Sequence, residues 1–406
     1  MWEQPLFGRR LRQLRLERGL SQAALAGDGM STGYLSRLES GARHPTDRAV
    51  DHLARQLGVS PSTFEEEPAD TLPQALAHVA SAETEENLEA LDRALNGSHS
   101  RDALRWQALW MLARWRQRHN DHGRERVYLE EMVRLGDELA VPALQARGLT
   151  QLARCLRARG DTAPATDAAT AAYRLAREHR LPARDVVNVL LALVSAEAET
   201  GHLTRARQHA DELTEMTEGR SDALWAEALW TAAAVRAHQG DNAAAEELLL
   251  TALDGFDRAV DLRLWLRLRI AATKLHLRKS PPDLDAAKCC IDQADSALVY
   301  VGVPSFAQEV TALKAELAFQ KGELDKARVL VDEVRKTGPR LTYRDRVRLE
   351  ILDSRLLILG GRPDVGLDRM RALAREAQQS SNIELTADIW KLLAETLAQR
   401  DEQTVS

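Results

Sequence analysis

The sequence predicts an all-α fold in which a small N-terminal helical domain is followed by a long array of helix pairs. Its 406 residues are rich in alanine, leucine, arginine and glutamate, with 13 prolines and 4% aromatic residues, and this composition favours helices. Helix-ending signals are closely spaced in the first seventy residues. Beyond them, one type of break recurs about every forty residues, which indicates a repeat array.

The first seventy residues predict five short helices. Leu11, Leu14 and Leu20 lie among arginines at spacings that define one buried face, and Gly19 ends the first helix. Each later helix follows a residue suited to cap its N-terminus, and these residues are Ser21, Ser31, Thr46 and Ser60. Pro61, directly after the last cap, suits the first helical position.

The stretch LRQLRLERGLSQAALA and, after a short gap, MSTGYLSRLESGARHPTDRAVDHLARQLGVSPSTF resemble the XRE or phage-repressor type of helix-turn-helix domain. The resemblance covers almost all of residues 6–64 and implies a third helix that lies in the major groove of double-stranded DNA. By position, it assigns base or phosphate contacts to Gln22, Ser31, Thr32, Gly33, Tyr34, Ser36, Arg37 and Arg43. It also implies that Arg15 pairs with Glu39 and braces two helices.

Two departures from the family pattern limit how much sequence one such helix can read. The turn Gly27-Asp28-Gly29-Met30 is one residue shorter than usual, and Gly33 has no side chain where a base-reading glutamine or arginine often stands. Direct readout then depends on Arg37, which can hold a guanine through two hydrogen bonds, and on Thr32 or Tyr34 against a thymine methyl group. We therefore expect a homodimer that reads paired half-sites.

Charge is distributed unevenly along the chain. Residues 1–64 contain nine arginines and six acidic residues, a net charge of +3, whereas the whole chain carries −6. A basic domain joined to an acidic remainder suits a phosphate-binding module attached to a body that stays off DNA.

A linker is predicted after the first domain, because the stretch EEEPADTLP combines acidic residues with two prolines. The predicted organisation is a helix-turn-helix domain at 1–66, a linker with degenerate first helices at 67–99, a repeat array at 100–380, and a capping helix with a tail at 381–406.

The array is predicted from a recurring pair of residues, a glycine followed by a polar residue, which ends one helix of each repeat. The glycines of these pairs are Gly160, Gly201, Gly240, Gly322 and Gly361. The missing member falls near Pro281, and Asn120 stands one period before the first glycine. Five positions after these breaks stand small residues: Ala165, Ala206, Ala245, Ala286, Ala327 and Gly366. The pattern resembles tetratricopeptide repeats, which implies a right-handed α-solenoid of about seven helix pairs.

The inner wall of such a solenoid is lined by the first helix of each pair, and walls of this kind bind extended peptides. Counting back from the breaks gives the groove candidates Gln107, Trp110, Arg114, Gln151, Arg154, Arg157, Asn188, Glu227 and Trp230. Arginine can hold a carboxylate, and asparagine can bind both sides of a peptide backbone. The competing interpretation is that the arginines are solvated charges and the tryptophans are core residues.

The domain order resembles the RRNPP group, in which a repressor-type domain precedes a tetratricopeptide array. This resemblance implies a homodimeric transcription factor whose groove binds a short signalling peptide, or another small effector, that modulates DNA binding. Two alternatives remain open. The array could only dimerise or bind a protein partner, or the chain could be an interaction scaffold with a vestigial helix-turn-helix.

Other classes of function find no support in the sequence. It has no GxxxxGK loop, HExxH motif or nucleophile elbow, so we expect neither an enzyme nor a cofactor. Cys155, Cys289 and Cys290 lack metal-ligand spacing, so no metal site is expected, and idle thiols suit a reducing cytosol. The N-terminus has no apolar signal core, and the longest apolar run, at 186–196, is too short to span a bilayer. We expect a cytoplasmic protein without membrane contact.

Overall fold

The computed structural model describes residues 2, 4–64, 71–98, 102–338 and 340–405, and within these ranges it contains helices and turns but no strand. The predicted all-α fold is therefore confirmed. The chain divides into two compact units, Met1–Ser100 and Arg101–Ser406. Part of the predicted linker, residues 65–70, lies outside the described ranges.

The described residues of the first unit form six α-helices. They are α1 Leu6–Glu17, α2 Gln22–Ala26, α3 Thr32–Glu39, α4 Asp47–Leu57, α5 Leu72–Ser81 and α6 Glu85–Gly97. The predicted caps of α2, α3 and α4 are formed, because the side chains of Ser21, Ser31 and Thr46 accept backbone N–H groups of their helices. The predicted fifth helix is, in the described residues, a single 3-10 turn at Pro61–Phe64.

A small apolar core holds α1 to α4 together. Its fully buried members come from every one of these helices and from the 3-10 turn, and they include Phe7, Leu11, Leu25, Leu35, Leu38, Leu53 and Phe64. Leu14 is buried as predicted, whereas Leu20 is only partly buried at the edge of the core. The core orients α3, because Leu35 and Leu38 face inward and leave its opposite side in solvent.

Within the described part of the second unit there are seven helix pairs, as predicted, and one further helix. The pairs are α7 Ala103–Arg118 with α8 His122–Leu139, α9 Pro142–Arg159 with α10 Thr162–Glu178, α11 Ala183–Glu199 with α12 Leu203–Thr217, α13 Ala223–His238 with α14 Asn242–Gly255, α15 Leu262–Arg278 with α16 Leu284–Val301, α17 Pro304–Gln320 with α18 Leu324–Lys336, and α19 Tyr343–Leu359 with α20 Pro363–Gln379. The final helix, α21, spans Ile383–Val405.

The repeat breaks have a common backbone conformation. The five repeat glycines all have positive φ, between 78° and 90°, and Asn120 adopts the same region with φ of 55°. Only glycine and, less readily, asparagine enter this region at low cost, so these residues turn the chain sharply between the two helices of a pair.

The small residues after the breaks are buried where the two helices of a pair approach each other. Ala165, Ala206, Ala245 and Ala327 have no exposed surface. In the repeat that begins near Pro281 the prediction is wrong by one position, because Ala287 is fully buried and Ala286 is not. The break there extends from Arg278 to Leu284, longer than the glycine breaks, which shifts the register.

The last helices of the array return to contact its second and third pairs. The ring of Tyr343, at the start of α19, lies against Gly160, and Ile383, at the start of α21, lies against Gly201. Thr162 Oγ1 donates a hydrogen bond of 2.6 Å to the carbonyl oxygen of Ser380. The array thus closes on itself within the second unit.

The described residues include no helix that is both long enough and apolar enough to cross a membrane.

Candidate DNA-binding surface and inner face of the array

The solvent side of α3 carries most of the predicted base contacts. Ser31 Oγ accepts a 3.2 Å hydrogen bond from Tyr34 N and thereby fixes the start of the helix. Thr32, Gly33, Ser36 and Arg37 are exposed along this side. A Cβ atom added at Gly33 would meet no other atom within 4 Å, so this position is open surface.

Arg37, Tyr34 and Arg43 form the polar edge of this surface. Arg37 Nε donates to the carbonyl oxygen of Gly33 at 3.1 Å, which lays its guanidinium along the helix. Tyr34 is partly buried against the core of the first unit, and the guanidinium of Arg43 lies 5.0 Å from the centre of its ring. Tyr34 therefore packs within the first unit, and the base contact predicted for it must be compatible with this packing.

Behind α3, the predicted contact between Arg15 and Glu39 is formed. Arg15 Nε and Nη2 donate to the two Glu39 carboxylate oxygens at 2.6 and 3.0 Å. Gln22 Nε2 donates to the same carboxylate at 2.8 Å, although the sequence suggested only a phosphate contact for Gln22. The shared carboxylate ties together α1, α2 and α3.

Glu39 is held ionised by these donors. Burial raises the pKa of its carboxyl group, but the hydrogen bonds from Arg15 and Gln22 outweigh burial and hold the pKa below its usual range. The hydrogen bond to Glu39 in turn raises the pKa of Arg15. The brace is thus a charged pair at neutral pH.

On the array, four of the predicted groove residues take part in contacts between successive first helices, together with Arg267, which is not among the groove candidates. Arg154 on α9 donates to the carbonyl oxygen of Asn188 on α11 at 3.2 Å. Glu227 on α13 lies 3.1 Å from Nη1 of Arg267 on α15, and the same guanidinium is 4.7 Å from the ring centre of Trp230. We call these five residues the ladder.

The charge of Arg154 connects the contact between Arg154 and Asn188 with the contact between Glu227 and Arg267. Burial lowers the pKa of Arg154, the Glu227 carboxylate opposes this effect, and the positive charges of Arg267 and Arg157 add to it. Glu227 is therefore close enough to Arg154 for their charges to interact across the intervening α11.

The other groove candidates make different contacts. Gln107 and Arg114 are exposed on α7, Gln151 on α9 is partly buried, and Trp110 stacks on Trp106 with ring centres 5.5 Å apart. Arg157 donates to Glu199 at 2.9 Å, and this contact directs the Arg157 side chain towards α19 and α21, the helices that return to contact the second and third pairs.

A cluster of charges joins that returning end to α11, α13 and α15. Arg344 on α19 contacts Glu384 on α21 and lies 3.3 Å from Glu199. His238 and Arg278 each approach Glu384 to 3.1 Å. Burial, assisted by the charge of Arg344, lowers the pKa of His238 to about 3, so this imidazole is neutral at physiological pH. Sequence reasoning missed this cluster because its members are separated by up to about 185 residues and share no motif.

A capped helix with an exposed polar side, braced behind by a buried arginine–glutamate pair, defines a helix-turn-helix DNA-binding module. A family model described as a helix-turn-helix domain matches residues 6–66. A curated relative, the uncharacterized HTH-type transcriptional regulator y4dJ of Sinorhizobium fredii, is 46% identical over 56 residues, which are 14% of this chain and 73% of the relative. The chain belongs to the helix-turn-helix transcriptional regulators.

Two solved structures are similar over nearly the whole chain. A Rap protein complexed with competence and sporulation factor has a TM-score of 0.55 at 13% identity, with 98% of this chain and 99% of that chain covered. The Rap conjugation gene regulator of plasmid pLS20, in complex with the Phr* peptide, has a TM-score of 0.55 at 9% identity, with 92% and 96% covered. At these identities the similarity shows a shared helical-repeat fold.

Proposed function

We propose that this chain is a homodimeric, cytoplasmic transcriptional regulator of the RRNPP type, whose repeat array binds a short signalling peptide that changes its affinity for an operator. The DNA-binding half of the proposal is supported by family membership and by the exposed side of α3. Because Gly33 leaves few side chains to read bases, two heads on paired half-sites would be needed for useful specificity.

The observation that carries the peptide half is the ladder. Four successive first helices contribute Arg154, Asn188, Glu227 and Arg267 to one face, and Trp230 adds an aromatic surface beside Arg267. Guanidinium groups bind carboxylates with two hydrogen bonds, so a peptide with an acidic side chain or a free carboxyl terminus matches this face. Of the two Rap structures with this fold, one is a complex with the Phr* peptide and the other a complex with competence and sporulation factor, which is support by analogy of fold.

The closure of the array suggests how a peptide would act. The ladder lies on the same first helices, α9 to α15, whose ends contact α19 and α21 through Glu199, His238 and Arg278. A peptide that binds one arrangement of these helices more tightly than another shifts the population between them. In a dimer, that shift would change the separation of the two DNA-binding heads.

A second candidate is that the array only dimerises or binds a protein partner. The pairing of Arg157 with Glu199 and of Arg267 with Glu227 favours it, because these charges are already compensated within the chain.

The two candidates are separated by measuring operator affinity with and without peptide. Fractions of spent culture medium, followed by synthetic peptides from the active fraction, are added to the full chain on its operator. A bound effector is expected to change the affinity by about 5–150-fold, the usual range of allosteric coupling. Arg154→Gln is expected to lose this response, and Arg174→Gln, at an exposed position on α10, is the matched control that should keep it.

An unchanged operator affinity with every fraction, or an Arg154→Gln variant that responds like the wild type, would contradict the peptide half. Absence of operator binding by the wild type itself would contradict the DNA-binding half.

A further inference from the structure

A cluster of three metal-ligating side chains lies in the first two pairs of the array, away from the ladder and from the charges at the returning end. It consists of His122 and Glu125, in the first turn of α8, and Cys155, near the end of α9. One ligand atom from each of the three residues can be chosen so that all lie within 4.8 Å of one another. From this arrangement, we propose that His122, Glu125 and Cys155 form a binding site for a divalent transition-metal ion, zinc above all, that links α8 to α9.

The burial of the cluster supports a metal site. The side chain of Glu125 is 2% exposed and that of His122 is 15% exposed, and Cys155 is buried with 1% of its surface exposed. Polar groups withdrawn from water need compensating partners. A divalent cation bound to one thiolate and one carboxylate makes the site neutral overall, and its binding releases the thiol proton to water.

The two ring nitrogen atoms of His122 have different surroundings. Its Nδ1 atom lies 2.6 Å from Glu125 Oε2. Its Nε2 atom is buried and has no hydrogen-bond partner within the described part of the chain. Cys155 Sγ is 3.5 Å from the carbonyl oxygen of His122, so the thiol lies over the start of α8.

Two arginines whose charges act on the thiol are each paired with another group. Arg126 and Arg159 are close enough to affect the thiol, but each is paired with an acid of its own. Arg126 Nε donates to Glu130 at 2.6 Å, and Arg159 Nε donates to Asp161 at 3.1 Å. The carboxylate of Glu125 is thus left to His122, to the thiol and to an incoming cation.

The donor set selects the class of metal. One nitrogen, one oxygen and one sulfur ligand suit zinc and related borderline ions, whereas calcium and magnesium require oxygen ligands. Three protein ligands leave a fourth tetrahedral position for water. Zinc ligands lie about 2.0–2.3 Å from the ion, so two of them at a tetrahedral angle are roughly 3.3 Å apart. His122 Nδ1 and Glu125 Oε2, now 2.6 Å apart, would therefore separate by about 0.7 Å if both bind one ion. Sequence spacing could not reveal the site, because Cys155 follows the other two ligands by a full helix and more.

The experiment uses the full chain, freed of metal with a chelator and kept reduced, and titrates it with zinc against a chromophoric chelator. The expected result is one zinc per chain at micromolar affinity or tighter, and a higher melting temperature with zinc than without. Cobalt, used as a spectroscopic substitute, should give the near-ultraviolet charge-transfer band of a thiolate ligand. Neither the zinc titration nor the cobalt spectrum needs DNA or peptide. A failure of the metal proposal can therefore be distinguished from a failure of the proposed function.

Variants assign the ligands. Cys155→Ser should lose the thiolate band and weaken zinc binding by more than the roughly 10–100-fold typical of a lost outer-shell partner. His122→Gln, at a less buried position, gives the same test of affinity if Cys155→Ser does not fold. The matched control, Cys289→Ser with Cys290→Ser, should keep both the band and the affinity. The proposal is overturned if the wild type binds no zinc, if His122→Gln binds zinc as tightly as the wild type does, or if the band disappears in the control instead.

Discussion

Glu39 shows how a single buried carboxylate holds the DNA-binding head together. It accepts hydrogen bonds from Arg15 on α1 and from Gln22 at the start of α2, and it belongs to α3. Its pKa is lower in the folded protein than in the unfolded chain. A carboxyl group of this kind stabilises the fold at pH values above its unfolded pKa, and this contribution is lost as the pH falls through the folded pKa.

Glu39→Gln is therefore expected to destabilise the head at neutral pH by about 1–3 kcal/mol, because the guanidinium of Arg15 loses its charged partner. The difference between variant and wild type should shrink as the pH falls below the unfolded value of about 4.3 and through the still lower pKa of the folded protein. Hydrogen exchange of peptides from residues 6–64 measures this without interference from the array. Asp51→Asn, at an exposed position on α4, is the control, and a difference that does not change with pH would contradict the account.

Some residue-level predictions succeeded and others could not have been made. The Arg15–Glu39 contact was foreseen because a known motif contains both residues. The third partner, Gln22, was not, because its amide reaches Glu39 only once α2 and α3 have packed. The cluster of His122, Glu125 and Cys155 has no signature in sequence, since its geometry arises from the packing of α8 on α9.

Helix pairs are the elements of the array, and the sequence located the break between the two helices of most pairs. Glycine in the left-handed region ends the first helix of most pairs, and a small residue allows the second helix to approach. The one error, Ala286 in place of Ala287, occurred where prolines replace the glycine. Glycine and proline breaks thus indicate where the helices of a pair meet. They do not indicate which residue of the second helix is buried when the break changes length.

Gly160 separates two effects that glycine can have at such a break. Its φ is 90°, and a Cβ atom added there would lie 2.6 Å from the ring of Tyr343 on α19. Gly322 has a similar φ of 78° but open space around it. Gly322→Ala should cost about 1–2 kcal/mol for the left-handed backbone alone. Gly160→Ala should cost a further 1–3 kcal/mol or so, because the methyl group displaces the tyrosine.

Urea unfolding of the full chain compares the two variants. Equal losses of stability for Gly160→Ala and Gly322→Ala would show that the contact between α9 and α19 does not stabilise the array in solution.

At the scale of the whole molecule, the number of helix pairs was predictable and the closure of the array was not. Closure depends on small rotations that accumulate from pair to pair, and it brings together groups as distant in sequence as Thr162 and Ser380. Four members of the ladder are groove candidates from the sequence, whereas Arg267 comes from a later pair and is identified only by its contacts with Glu227 and Trp230. A periodic sequence defines the repeating unit, whereas the curvature of the stack is a property of all the interfaces together.

We expect the head to read DNA sequence through α3. Selection of bound fragments from a random double-stranded DNA pool by the full chain tests it most directly, with Arg37→Ala as the comparison. We predict enrichment of one motif with two symmetric half-sites about 34–36 Å apart, or a multiple of this distance. Arg37→Ala should bind it more weakly by about 1–3 kcal/mol and lose preference at one base pair in each half-site. A pool that shows no enriched motif, or a variant that enriches the same motif with unchanged affinity, would contradict the claim.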